Sequence, residues 1–502
     1  MDPSSLSMKP GIQMVPNRSE CIFRCTAEQR ALLDRVLYKR YPDAEWGTFF
    51  RFGYRVTPLG VLVTLVDLLP PNRGDFDEKS HVMEFTPGYI GRGLRSFDKS
   101  AFGLGFIHSH PEGCAPGPSR SDDDMDRYFA EEFEKFSVGR PYISLISSRD
   151  EDGRRRFSGR CFHQGQWLPV TKWVTVGKDL IRRESDYRKP MSRVGNGSLT
   201  ERASQLFGDD ASVRLKNSTV AIIGCSGLGT PAGHILSRAG IAEFILVDPG
   251  LFKDSNHERN HASRASDIGV TGLSKVELLE RLIHEVNPEA KVTCIKGDIL
   301  DPVTVDALVK CDLILGCTDS VYARAALGDL STHYLIPVID MAVQMGSKDG
   351  RLTDQVGEIA RYMPGLPCPW CRKRVSAADI REELASDEER AQANLAVAAA
   401  LERGADGAQY WIGERPQELT VGYMTTTVAA MGAGYAQGWL TGTSEMPHDR
   451  FQFDLGRISF GFVPDNREPE PDCSCQRCIG FADQGRADFT VSSPVLSGLS
   501  QP

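Results

Sequence analysis

Apolar residues follow two contrasting patterns along the chain. Between Cys21 and Trp173 they come in short alternating runs, "GVLVTLVDLL" and "GLGFIHSH" among them, broken by turn residues, which predicts an α+β domain. Farther on the runs are continuous and separated by helical periodicity. "STVAIIGCSGLG" is a buried strand entering a glycine turn, "TPAGHILSRAG" a helix and "EFILVD" a second strand. "KVTCIKGD", "CDLILGCTD" and "IPVIDMAV" repeat the strand signal, so this half predicts a mostly parallel, doubly wound sheet of the α/β class. Between the two, Val174 to Ser198 turns polar and basic and reads as an exposed linker. The expected organisation is a first domain over 1–175, a linker over 176–199, a second domain over 200–480 and a flexible tail over 481–502. One uncharged stretch, Leu419 to Ser444, is long enough to span a bilayer. Its three consecutive threonines, its glycines and its acidic flanks, Glu418 and Glu445, argue for a buried core helix instead.

Composition narrows the class. A chain of 502 residues exceeds what one core usually serves, and its net charge of -9 disfavours a nucleic-acid backbone as ligand. The start, "MDPSSLSMKPGIQ", lacks the layout of a secretory signal, so a reducing cytoplasm is expected, with the 13 cysteines as thiols or metal ligands.

The densest group of potential ligands is "HSHPEGCAPGPSRSDDDMD". Strand alternation puts His108 and His110 on one side, where both imidazoles can share one zinc ion with a carboxylate from the next segment. A water in the fourth position then needs a carboxylate to move its proton and a donor for the oxyanion, for which Glu45 and Ser119 are the candidates. The order of an upstream glutamate, His-x-His-Pro and Ser-x-x-Asp resembles the JAMM/MPN (JAB) metallopeptidase family over about the first third of the chain. That resemblance implies Glu45 as acid/base, His108, His110 and Asp122 as ligands of a catalytic zinc, and Ser119 beside the tetrahedral intermediate. The loop between His110 and Ser119 is one residue longer than the family's, which leaves Asp123 and Asp124 open as alternative ligands. Glu84, in "HVMEFTPGYIG", is the competing glutamate.

In the second half, Gly224, Gly227 and Gly229 of "GCSGLG" follow a strand and open a helix, where backbone amides can face a phosphate. Asp248 ends the next strand, a position that meets a ribose hydroxyl in dehydrogenases and nucleotide-activating enzymes alike. Asn256 and Arg259 in "DSNHERNH", Lys275 on a helix and Asp319 at a strand end go beyond what hydride transfer requires. Adenylation uses such an inventory: cations at the phosphates and an acid for magnesium. Residues 200–480 resemble the ThiF/MoeB and ubiquitin-activating superfamily, though Ser226, Gly250 and Ser320 depart from its usual residues. The resemblance implies Asp248 on the ribose, Asn256, Arg259 and Lys275 on the phosphates of ATP, Asp319 on Mg²⁺, and Arg202 reaching a partner subunit's ATP in a homodimer.

Cys368 and Cys371 in "PCPWCR", with Cys475 and Cys478 in "CSCQRC", form two paired knuckles that predict a closed structural zinc, Cys473 being a spare. No cysteine lies between Arg372 and Asp472, where ubiquitin-type activators carry their thioester residue, so direct transfer of the acyl group is expected. The combined reading is a bifunctional enzyme of a prokaryotic ubiquitin-like conjugation system. It adenylates a carrier's C-terminal glycine, works with a conjugating enzyme, and processes or deconjugates the carrier through the zinc peptidase. The alternatives are activation and processing of a sulfur-carrier protein in cysteine or cofactor synthesis, and a docking scaffold with inactive sites.

Overall fold

The computed structural model describes residues 20–39, 44–76, 84–95, 101–149, 153–187, 201–392, 395, 420–456 and 463–484. Its first eight strands are β1 (Glu20–Thr26), β2 (Trp46–Thr57), β3 (Gly60–Leu69), β4 (Gly103–Ser109), β5 (Tyr142–Arg149), β6 (Arg155–His163), β7 (Gln166–Val176) and β8 (Ile181–Ser185). They form one sheet in the order β1-β3-β2-β4-β5-β6-β7-β8, and a further pairing of β1 with β7 curls it on itself. Helices α1 (Ala27–Leu37), α2 (Pro87–Arg95) and α3 (Arg120–Phe136) complete this α+β unit. Local chemistry sets two of their starts. Thr26 and Gln29 cap α1 reciprocally, and Ser119 and Asp122 do the same for α3.

A second eight-stranded sheet runs β11-β10-β9-β12-β13-β14-β15-β16. Its members are β9 (Thr219–Ile223), β10 (Glu243–Val247), β11 (Lys291–Ile295), β12 (Leu313–Gly316), β13 (Val338–Lys348), β14 (Arg351–Tyr362), β15 (Arg450–Asp454) and β16 (Val463–Pro464). The first five are parallel and the last three antiparallel to their neighbours. The strand order reverses between β9 and β12, which opens the crevice where doubly wound sheets place ligands. The helices are α4 (Glu201–Phe207), α5 (Asp209–Lys216), α6 (Gly229–Arg238), α7 (Lys275–Val286), α8 (Pro302–Leu308), α9 (Val321–Tyr334), α10 (Ala377–Leu384), α11 (Gly422–Thr441) and α12 (Ser474–Arg477). The uncharged stretch is α11, whose Met424, Val428, Ala433, Ala436 and Trp439 are buried against α6 and β13. Among the described residues no helix is long and apolar enough to cross a membrane.

The expected linker begins too early. After a short turn from β7, Ile181–Ser185 return to the first sheet as β8, paired to β7, with Ile181 only 3% exposed. Ile22, Leu62, Val174, Val176 and Ile181 lie in the same apolar cluster as the core of the second sheet. Burial on both faces explains why β3 opens with six buried residues in a row rather than an alternation. The expected tail also begins too early: Ala482 is 1% exposed and bridges Tyr54, whereas residues 485–502 lie outside the described set.

The first unit packs against the end of the second sheet where its parallel strands begin. Fully buried Arg24 donates to the carbonyls of Cys311 and Leu335, just before β12 and β13. Arg183 pairs with Asp312 at 3.0 Å, and Arg55 reaches Asp306 at 2.7 Å and Asp483 at 3.1 Å. The opposite edge, where β9, β10 and β12 end, is left to the glycine loop.

Candidate functional sites

His108 is the penultimate residue of β4, and His110 lies one residue beyond the strand. Asp122 sits in the first turn of α3, and the capping box that starts the helix also aims its carboxylate: Ser119 N–H donates to Asp122 Oδ2 at 2.6 Å. His108 Nε2 lies 3.2 Å from Asp122 Oδ1, His110 Nε2 3.7 Å from Asp122 Oδ2, and His110 Nε2 3.9 Å from Glu45 Oε1. One ligand atom from each of His108, His110 and Asp122 lies within 4.8 Å of the others, and all three residues are buried. Zinc–nitrogen bonds near 2.0 Å give a tetrahedral edge of about 3.4 Å, so the spacings suit such an ion.

Two further observations favour a cation here. Both ring nitrogens of His108 are buried without a hydrogen-bond partner, a cost a metal ligand escapes. His110 Nδ1 lies 2.9 Å from the Ala115 carbonyl, which orients Nε2 toward the centre as outer-shell carbonyls do for metal-binding histidines. Burial would raise the Asp122 carboxyl, but the His108 and His110 imidazoles that face it and the Ser119 N–H outweigh burial and hold the group far below the usual range. The three neighbouring aspartates differ in what they face. Asp123 pairs with Arg160, and Asp124 is an exposed partner of Arg127 at 3.2 Å, leaving Asp122 to face the histidines. Glu84 is exposed and takes no part in this cluster.

The cysteine cluster needs one correction. The four sulfurs that group within 4.8 Å belong to Cys368, Cys371, Cys473 and Cys475, so Cys473 stands where Cys478 was expected. The sequence spacing favoured a knuckle across Cys475 and Cys478, but Cys475 lies in the short helix α12 and Cys478 closes its far end, while Cys473 caps its start beside Cys368. The sulfur separations of 3.8, 3.6 and 3.6 Å match the edge of about 3.8 Å that four 2.3 Å zinc–sulfur bonds require.

At the far edge of the second sheet, Gly224 has φ +95°, and a Cβ there would lie 2.5 Å from the Cys317 carbonyl. A Cβ on Gly229 would lie 2.0 Å from the Gly224 carbonyl, so only glycines allow this turn onto α6. Asp248 braces the loop: its carboxylate accepts from Cys225 N–H at 2.8 Å and from Gly250 N–H at 2.7 Å. A Cβ on Gly250 would stand 3.0 Å from both Asp248 Oδ1 and Lys275 Nζ, which places the ammonium beside that carboxylate. Arg259 flanks Gly227, whose Cβ would meet Arg259 Cδ at 3.3 Å, and buried Asn256 accepts from Lys253 N–H at 3.1 Å. Asp319 is exposed just beyond β12, and Gly316 at the end of that strand pairs with Ile223 of β9. The loop, Asp248, Asn256, Arg259, Lys275 and Asp319 thus share one edge. Arg202 is exposed on α4, a helix with no buried residue.

Two participants carry no motif signal. Thr420 holds Arg259 Nη1 through its carbonyl at 3.2 Å and its hydroxyl at 3.0 Å, and Glu383 of α10 accepts from Val321 N–H at 2.8 Å and Tyr322 N–H at 3.0 Å at the start of α9. Burial pushes the Cys225, Cys311 and Cys317 thiols up, and Cys294 to about 12, which makes all four poor nucleophiles.

The ThiF family profile matches residues 200–475. The adenylyltransferase and sulfurtransferase MOCS3 of Drosophila virilis is 29% identical over 189 residues, 37% of this chain and 39% of that protein. The adenylyltransferase and sulfurtransferase UBA4 of Debaryomyces hansenii is 35% identical over 159 residues, 32% of this chain and 33% of that protein. The chain therefore spans less than half the length of these curated relatives. A solved structure of E. coli MccB with ATP aligns at a TM-score of 0.42 and 19% identity over 56% of this chain and 75% of that one, a likeness too loose to bear on the site. The profile match covers more than half of the chain and falls on the Rossmann-like half of a mixed α/β protein: the chain belongs to the ThiF family.

Proposed function

We propose that the second unit adenylates the C-terminal carboxylate of a small carrier protein, and that the first unit is a JAMM-type zinc peptidase acting on the same carrier. The single observation that carries the first part is the convergence of the glycine loop, Asp248, Lys275 and Arg259 on one edge of a ThiF-family sheet. The loop amides and the α6 N-terminus cradle phosphate, Lys275, Arg259 and Asn256 hold the triphosphate, and Asp248 holds the ribose. Asp319 would hold Mg²⁺, which would offset phosphate charge. A carboxylate oxygen of the carrier attacks the α-phosphorus, the bond to the β-phosphate oxygen breaks, and pyrophosphate leaves behind an acyl adenylate. Arg202 reaches into the same site of a second copy in a homodimer.

The sulfur-carrier reading stands ahead of ubiquitin-like conjugation. The curated relatives are named sulfurtransferases as well as adenylyltransferases, and residues 372–472 of this chain offer no cysteine for a thioester relay. Conjugation remains the second reading, favoured by the hydrolytic residues at the other end of the molecule. Mass measurement separates the two: a thiocarboxylate at the carrier's terminus supports the first, and an amide link to a lysine or a cysteine-bound adduct refutes it. Absence of ATP–pyrophosphate exchange refutes both.

In the first unit His108, His110 and Asp122 would hold Zn²⁺, which when bound supplies Lewis acidity and lowers the pKa of a water. Glu45 takes the proton of the attacking water and passes it to the leaving amine. The Ser119 hydroxyl accepts from Asp122 N–H at 3.2 Å, which leaves its own proton free for the oxyanion. Cys368, Cys371, Cys473 and Cys475 would hold a second, structural zinc. Hydrolysis of a carrier extended by one residue, lost in Glu45→Gln, tests the peptidase assignment.

A further inference from the structure

Behind the carboxylate that faces the histidines stands a residue outside the motif. Helix α3 carries Asp122, Asp123, Asp124 and Asp126 in its first two turns. Asp123 and Asp126 turn away from the histidines and close on Arg160 of β6, a residue only 6% exposed. Arg160 Nε donates to Asp126 Oδ2 at 2.6 Å, a second nitrogen pairs with Asp123, and the cation lies 5.4 Å over the Trp167 ring. Asp126 is 0% exposed and also accepts from Tyr142 O–H of β5 at 2.9 Å.

Two anchors about 60° apart around a helix of 3.6 residues per turn fix both its height and its rotation. The strand that holds them is tied to the strand that presents the histidines, since β6 pairs with β5, and Ile146 of β5 stands opposite His108 of β4. A planar fork can serve two carboxylates at fixed angles, which a single ammonium cannot.

We propose that Arg160 is a positioning residue for the metal centre, locking α3 in the rotation that directs Asp122 at His108 and His110. The inference rests on the reading of those three residues as zinc ligands.

The test uses the full chain and measures zinc affinity by competition with a chromophoric chelator. The centre is identified as the class of zinc lost in a His108→Ala/His110→Ala variant. Arg160→Lys and Asp126→Asn are expected to weaken that class about 10–100-fold, the range for outer-shell changes, while leaving the cysteine-bound class unchanged. Arg183→Met, which removes another buried ion pair far from the centre, serves as the control for general destabilisation. It should lower the thermal midpoint without changing zinc affinity. The proposal is overturned if Arg160→Lys and Asp126→Asn bind zinc within twofold of the wild type, or if Arg183→Met loses as much. Unchanged zinc binding in the double histidine variant overturns the metal reading itself.

Discussion

At the end of β4 the side chains that would do chemistry already meet one another, whereas at the edge formed by β9, β10 and β12 they meet mostly backbone. His108, His110 and Asp122 converge within 4.8 Å on a point the size of an ion. Asp248 is spent on bracing the glycine loop, Arg259 on Thr420, and Asp319 is exposed to solvent. The contrast follows from the ligands. A metal needs three donors at bonding distance, and one strand end with one helix cap can supply them without help. A nucleotide with a carrier's tail fills a gap many ångströms long, so its contacts stay apart until the substrates arrive. The two regions also face different ends of the molecule, because the first unit occupies the edge where the parallel strands begin.

That separation predicts single-site variants that damage one activity alone. Glu45→Gln should lower hydrolysis of an extended carrier by about 10²–10⁴-fold, the usual share of a general acid–base, with zinc content and pyrophosphate exchange unchanged. Lys275→Ala should lower ATP–pyrophosphate exchange by about 10²–10³-fold, comparable with loss of a charge-stabilising donor, with hydrolysis unchanged. A mixture of the two variants should then carry an extended carrier through trimming and adenylation. Failure of the mixture would show that the tail passes between sites within one molecule, and the contrast drawn above would be wrong.

The cysteine cluster sharpens the comparison, since it too is preassembled. Cys473→Ser should weaken zinc binding by the four grouped sulfurs at least about tenfold and lower the thermal midpoint, because folding and thiolate binding are coupled, whereas Cys478→Ser should weaken zinc binding less. Equal effects from the two would restore the pairing of Cys475 with Cys478.

Both sites were legible in the sequence where the chain itself fixes geometry. Alternation in β4 puts His108 and His110 on one side, and a Ser-x-x-Asp that is also a capping box brings Asp122 to them with no long-range information. The glycine loop is legible for the same reason, as a turn only glycine can make. Choices settled across the fold were not legible. Asp122 is distinguished from Asp123 by Arg160, which lies 37 positions farther along, and Thr420 finds Arg259 across 161. The false linker has a related cause. The basic residues after Val176 look solvated, yet Arg183 is drawn into the interface by Asp312, and Ile181 is covered by a core made in the other half of the chain.

The smallest expected effect concerns the segment that joins the two regions. After Cys475 the chain runs to Gly480 and Ala482, where Thr64 O–H donates to the Gly480 carbonyl at 2.6 Å, Tyr54 bridges Ala482, and the Phe102 and Phe481 rings stand 4.9 Å apart. A Cβ on Gly53 would lie 2.3 Å from the Gly480 carbonyl oxygen and 2.4 Å from the Phe481 carbonyl carbon, both backbone atoms that no rotamer change can move. Gly53→Ala should therefore push this segment off β2 and cost about 1–3 kcal/mol, as overpacking does. Thermal unfolding of the full chain reads that cost at about 1 °C per kcal/mol, since the unfolding entropy grows with chain length. Gly53 lies in β2 on the way from Glu45 to the interface, and the displaced segment meets Thr64, Tyr54 and Phe102 rather than His108, His110 or Asp122, so both activities should survive at temperatures where the chain stays folded. Loss of hydrolysis without unfolding would mean that docking of the second unit shapes the histidine cluster, and that the centre is less self-contained than its short contacts suggest.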